Sequence, residues 1–77
     1  MPQPSLAQIG AAIRSLRKKR KLSIEALAAE ADMHPYSISR IERGEQNPSW
    51  ITLVSLADAL DVDVIELVRL ASKQPRS

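Results

Sequence analysis

Apolar residues recur at intervals of three and four along most of the chain, which is the spacing of a helix with one buried face. The first segment shows this well, because Leu6, Ile9, Ile13 and Leu16 follow one another at these intervals. The spacing returns in four later segments. The pattern therefore predicts five helices and no strand, at approximately residues 5–20, 23–31, 35–43, 50–60 and 63–71.

Residues that commonly begin or end helices support these boundaries. A side chain whose oxygen can accept an unpaired backbone N–H precedes four of the helices: Ser5, Ser23, Ser49 and Asp63. Pro35 suits the first turn of the third helix, with the polar His34 before it, and Gly44 suits its end. We expect a flexible arm at residues 1–4, one domain at residues 5–71 and a flexible tail at residues 72–77.

Length and composition limit the kinds of protein that this chain could be. Its 77 residues suffice for one domain with a modest core, which dimerisation would help to stabilise. With no cysteine and one histidine, we expect no disulfide, no metal site and no cofactor. There is neither a secretion signal nor an apolar run of the roughly 20 residues that a membrane span needs. These features predict a cytoplasmic protein that does not bind membranes.

The charges are distributed unevenly, although the net charge is only +2. The first 22 residues contain no acid, and all nine acids come later. Six basic residues stand close together in that first part: Arg14, Arg17, Lys18, Lys19, Arg20 and Lys21. This asymmetry favours a polyanionic partner. The alternative is a solvated cationic helix end that interacts with the negative end of the helix dipole.

The segment from Leu22 to Gly44 is predicted to form a helix, a tight turn at Asp32 and Met33, and a second helix with a polar outer face. This layout is known from proteins that read DNA. The chain from about Ile9 to Leu67 resembles the phage-repressor and Cro type of helix-turn-helix domain, the Xre family. The resemblance rests on these pieces in order: IRSLRKKRKLS, Leu27-Ala28, SISRIERG, Asn47-Pro48-Ser49 and LADALDVDVIEL.

The resemblance implies an all-α, five-helix lambda-repressor-like fold with the helix-turn-helix at helices 2 and 3. It also implies a DNA-binding transcriptional regulator that places its third helix in the major groove. The residues expected to contact bases are Pro35, Tyr36, Ser37 and Arg40. Arg40 is the principal candidate, because a guanidinium can bond O6 and N7 of guanine together. A surface ion pair or a phosphate contact is its alternative role.

Other positions are expected to contact phosphates. The basic run beside the helix-turn-helix supplies Lys18, Lys19 and Lys21, and Ser23 stands at the start of the second helix. The resemblance implies backbone contacts after the third helix, at Arg43, Gln46 and Asn47. The chain departs from the family at Ile24, where a phosphate-binding glutamine is common, at Pro35, where glutamine is also common, and at Lys21, where a small residue is usual. Glu45 should point away from DNA.

Two further expectations concern structure. Glu42 should form a shielded ion pair with Arg17 that fixes the first helix against the third. Trp50 occupies the family's first apolar position of the fourth helix, so it is expected in the core.

Three apolar residues, Ile51, Val54 and Ile65, stand at positions that the helical core does not need. They predict a dimer face, and a two-fold dimer would read a near-palindrome with half-sites roughly 34–36 Å apart. The alternative function is a protein-interaction module, antitoxin-like or a co-regulator, that uses the same fold to bind a protein partner. An enzyme is not expected, because there is no cysteine, only one histidine, no glycine-rich phosphate loop and too little chain to enclose a pocket.

Overall fold

The computed structural model describes residues 3–76. The first two residues of the predicted arm and the last residue of the predicted tail lie outside this range. Within it the chain forms five helices and no strand, as the pattern predicts. Their bounds are α1 Leu6–Lys19, α2 Ile24–Ala31, α3 Pro35–Glu42, α4 Trp50–Ala59 and α5 Val64–Ser72.

Each helix starts at a polar cap. Ser5 accepts from the backbone N–H of Gln8, whose side chain accepts from the Ser5 N–H in return. The other four caps are side chains that accept one backbone N–H each: Ser23, His34, Ser49 and Asp63. The sequence therefore predicts the first residue of each helix with an error of at most one position.

Four of the helices end in a left-handed residue, and only one of these residues is glycine. Gly44 has φ +73° after α3, while Lys21, Asp32 and Asp61 have φ of 60°, 54° and 60° after α1, α2 and α4. After α1, the N–H groups of Lys21 and Leu22 return to carbonyls of the last helical turn. A left-handed backbone is unfavourable for a residue with a Cβ. Lys21 therefore destabilises this turn relative to glycine.

The core is formed where all five helices meet. Its largest fully buried side chains are Ile13, Leu27, Ile38, Ile41, Leu56, Leu60 and Leu67. Ile13 belongs to the stripe predicted for the first helix, and the others are apolar residues of the four later segments. Leu6, the first residue of the predicted α1 stripe, is instead 37% exposed.

Trp50 contradicts the prediction that it belongs to the core. It is the first residue of α4, and 58% of its surface is exposed. The core beneath α4 is filled by Leu56, Ala57 and Leu60, farther along the helix. The indole therefore remains in solvent at the start of α4.

The backbones of α1 and α3 approach closely at Gly10. A Cβ added there would lie 2.6 Å from the carbonyl oxygen of Glu42. Real Cβ atoms essentially never approach backbone this closely. Glycine at this position therefore fixes the distance between α1 and the end of α3.

The C-terminal segment is attached to the start of α1 through the buried Gln8. The Gln8 side chain donates to the carbonyl of Gln74 at 2.8 Å, and its oxygen accepts from Arg76 at 2.8 Å. Arg76 also donates to the carbonyl of Gln3. These bonds join both ends of the described chain.

No helix among residues 3–76 combines the length and the hydropathy that crossing a bilayer requires.

Candidate nucleic-acid interface

The helix-turn-helix consists of α2, a short turn and α3. Asp32 adopts the left-handed conformation, and the N–H of Met33 closes the turn on the carbonyl of Ala28 at 2.8 Å. In α3, Ile38 and Ile41 are fully buried and anchor the helix on the core. The opposite side of α3 therefore lies at the surface with its polar residues.

The start of α3 is capped by a histidine. The ring Nδ1 of His34 accepts from the backbone N–H of Tyr36 at 3.1 Å. Pro35, the first helical residue, has no N–H to satisfy. This arrangement leaves Tyr36 62% exposed at the first turn.

Arg40 and Tyr36 lie one turn apart on α3 and contact each other. The Arg40 guanidinium carbon lies 5.8 Å from the centroid of the Tyr36 ring, a cation–π distance. On its other side, Arg40 Nη2 donates to the backbone carbonyl of Glu45 at 3.1 Å. Two of the predicted base-contact residues are therefore held together, while Pro35 and Ser37 are half-buried beside them.

Arg43, at the end of α3, has partners for all three guanidinium nitrogens. Nε and Nη2 donate to the two carboxylate oxygens of Glu45 at 3.1 Å each. Nη1 donates to the hydroxyl of Ser39 at 2.7 Å. The hydrogen bonds between Arg43 and Glu45 raise the pKa of Arg43 and hold the pKa of the Glu45 carboxyl below its usual range. The sequence did not reveal this ion pair, which requires the sharp turn at Gly44.

The basic residues of the first part differ in their surroundings. Lys18, Lys19 and Lys21 have exposed side chains. Arg20 donates to the carbonyl of Ala59 at 2.7 Å and so joins the ends of α1 and α4. The three lysines thus remain candidates for phosphate contact, whereas Arg20 has a structural partner.

Arg17 and Glu42 form an ion pair between α1 and α3. Arg17 Nε donates to Oε2 at 2.6 Å and Nη2 donates to Oε1 at 3.0 Å, while Nη1 donates to the carbonyl of Leu22 at 2.9 Å. The side chains are only 11% and 5% exposed. The hydrogen bond to Glu42 raises the pKa of Arg17 above its ordinary value. This pair holds α3 against α1.

At the start of α2, the Ser23 hydroxyl oxygen accepts from the N–H of Ala26 at 3.0 Å. Its own O–H can therefore still donate to an anion. Ile24 is half-buried against the core. Gln46 is half-buried and Asn47 exposed in the loop after α3.

Exposed apolar side chains also lie on α4 and α5. Ile51 is 77% exposed, Val54 40% and Ile65 60%. Trp50, one turn before Val54 on α4, adds a fourth exposed apolar side chain. Among residues 3–76, no group of three or more His, Asp or Glu side chains could hold a metal ion.

The fold and the polar outer face of α3, which carries Tyr36 and Arg40, define a small helix-turn-helix domain. Comparison with known proteins agrees. A family model described as a helix-turn-helix domain matches residues 8–70. The chain belongs to this family, which confirms the resemblance and the fold that it implied.

Three relatives illustrate the match. An immunity repressor of Bacillus phage phi105 is 38% identical over 60 residues, which are 78% of this chain and 42% of that protein. The restriction–modification controller protein C.AhdI of Aeromonas hydrophila has a TM-score of 0.79 at 35% identity, over 80% of this chain and 94% of its own. SinR, a regulator of biofilm formation solved in complex with DNA, has a TM-score of 0.73 at 38% identity, over 77% of this chain and 95% of its own.

Proposed function

We propose that the chain is a sequence-specific transcriptional regulator that binds double-stranded DNA as a homodimer, with α3 in the major groove. The observation that carries this proposal is the pair formed by Tyr36 and Arg40 on the outer face of α3. Its first turn is capped by His34 and its inner face is anchored by two fully buried isoleucines. The relatives support the proposal, because one is named a repressor and another was solved with DNA.

Arg40 is the proposed base reader. Its guanidinium is restrained by the Tyr36 ring and by the Glu45 carbonyl, so little side-chain freedom is lost on binding. A bidentate bond from arginine to guanine discriminates against other bases by about 1–3 kcal/mol. Tyr36 contributes a hydroxyl and a ring beside it, and Pro35 and Ser37 complete the first turn.

Phosphate contacts would position α3 in the groove. Lys18, Lys19 and Lys21 supply exposed charges at the end of α1. The Ser23 hydroxyl and the N–H groups at the start of α2 form a second anion-binding point. Gln46 and Asn47 add uncharged donors after α3. Such contacts set orientation without reading sequence.

The apolar surface of α4 and α5 is the proposed dimer face. A two-fold axis there would present two copies of α3 to successive major grooves. We expect Ile51→Glu to shift the protein toward monomer in sedimentation velocity. Ser15→Glu, an exposed site on α1, is the matched control and should leave the mass unchanged. Equal masses for both variants and the wild type would contradict this face.

Selection of bound duplexes from a random DNA library tests the reading of sequence. The wild-type protein should enrich a near-palindrome. Arg40→Ala should lose information at one base position in each half-site, whereas a phosphate contact would weaken binding to all sequences equally. Arg40→Lys is the control that keeps the charge but not the planar fork.

Either a uniform loss in the alanine variant or full recovery by lysine would show that Arg40 binds phosphate. If the folded wild-type protein enriches no sequence, the regulator proposal fails. The exposed Trp50 and Ile51 would then direct attention to a protein-interaction module.

A further inference from the structure

Glu45 binds Arg40 and Arg43, the two arginines near the end of α3, through two different groups. Its carboxylate takes two donors from Arg43, and its backbone carbonyl takes one from Arg40. The turn fixes this position, since Gly44 is left-handed and the Glu45 N–H returns to the Arg40 carbonyl at 2.9 Å. A single residue therefore orients the proposed base reader and neutralises the neighbouring cation.

A carboxylate at this place opposes DNA binding. In the proposed complex with DNA it would lie next to the side chains that enter the groove, where phosphates would repel it. It also occupies Arg43, and about half of each side chain in this pair is exposed. Phosphate can therefore reach Arg43, but only by displacing the carboxylate. The pKa of Glu45 lies below its usual range because Arg43 donates to it, so the competitor remains charged.

We propose, on the basis of the proposed DNA-binding function, that Glu45 is a specificity-determining residue that competes with DNA phosphate for Arg43 and so suppresses sequence-independent binding. Non-specific binding is almost entirely electrostatic. On a non-cognate duplex, the protein can shift until a free cation meets a phosphate. At the operator, base contacts fix the register, and Arg40 keeps its backbone partner whatever the side chain at position 45.

Glu45→Gln tests this inference, because it removes the charge and keeps the shape and the backbone carbonyl. Binding to a random-sequence duplex and to the selected operator is measured by fluorescence anisotropy across a salt series. We expect the variant to bind the random duplex more tightly, with a salt slope steeper by about 0.9, the value for one added phosphate contact. The ratio of its affinity for the random duplex to that of the wild type should then fall about three- to fourfold between roughly 50 and 200 mM salt.

Glu66→Gln is the matched control. Glu66 is also a glutamate that pairs with an arginine, Arg69, and its side chain is 43% exposed, but it lies on α5. The substitution changes the net charge equally, and it should leave binding to both duplexes near the wild-type values. Equal gains in affinity for the random duplex in Glu45→Gln and Glu66→Gln would mean that net charge alone matters, and would overturn the inference.

Arg43→Gln separates competition from simple repulsion. If Glu45 acts by occupying Arg43, the gain in affinity for the random duplex from Glu45→Gln should become much smaller when Arg43 is already glutamine. An undiminished gain in the double variant overturns the competition. Equal tightening on operator and random duplex overturns the effect on specificity. If the wild-type protein binds no duplex at all, it is the proposed function itself that fails.

Discussion

Glu42→Gln should destabilise this protein severely, although it changes one atom of one side chain. The Arg17–Glu42 pair is almost fully shielded, with exposed fractions of 11% and 5%. The glutamine amide would turn an NH₂ group toward the donors of Arg17, leaving a buried positive charge without its counter-ion. Removing one partner from a buried ion pair costs about 3–5 kcal/mol.

That loss is large compared with the stability of the whole domain. At about 0.05–0.15 kcal/mol per residue, a chain of 77 residues has roughly 4–12 kcal/mol. A domain of this size loses about 4–8 °C of Tm per kcal/mol. The melting temperature should therefore fall by more than roughly 10 °C. Urea unfolding followed by circular dichroism at 222 nm gives the free energy directly.

Two variants make this test decisive. Glu66→Gln breaks an exposed pair with a 3.7 Å separation, and such pairs contribute only about 0–1 kcal/mol. Combining Arg17→Met with Glu42→Leu removes both charges, and should recover much of the stability lost by Glu42→Gln, since apolar replacement of a buried pair is often nearly neutral. A loss below about 1 kcal/mol in Glu42→Gln, at an unchanged m value, would refute the reasoning.

Three further predictions concern backbone geometry and the exposed ion pair. Gly10→Ala should push α1 away from α3, because the new Cβ would lie 2.6 Å from the Glu42 carbonyl oxygen; a loss of several kcal/mol in urea unfolding is expected, and wild-type stability would contradict the close approach. Lys21→Gly should stabilise the protein by about 0.5–1 kcal/mol, since φ is 60° there; a decrease in stability would show that the left-handed turn is not strained. Arg43→Gln should raise the pKa of Glu45 toward its ordinary value in an NMR titration. Because the folded-state pKa of Glu45 is lowered, this pair stabilises the protein above the ordinary carboxyl pKa, and the contribution disappears as the pH falls through the lowered value. An unmoved Glu45 titration would contradict the pairing.

The sequence by itself determined the five helices and most of their caps. Those features depend on local spacing and on side chains within three residues of each helix start, which a linear pattern contains. The buried residues of the stripes followed for the same reason. The Arg17–Glu42 pairing, by contrast, was implied by family resemblance, because 25 residues separate its members and no local rule joins them.

Only the tertiary structure decided whether Trp50 is buried and which residues Glu45 contacts after the end of α3. The family resemblance placed Trp50 in the core, but in the folded chain Leu56 and Leu60 fill the core and the indole remains in solvent. The turn at Gly44 brings Glu45 back onto Arg40 and Arg43, two contacts that the sequence did not predict. A turn angle and a helix orientation depend on how all five helices pack, so they emerge only once the chain is folded.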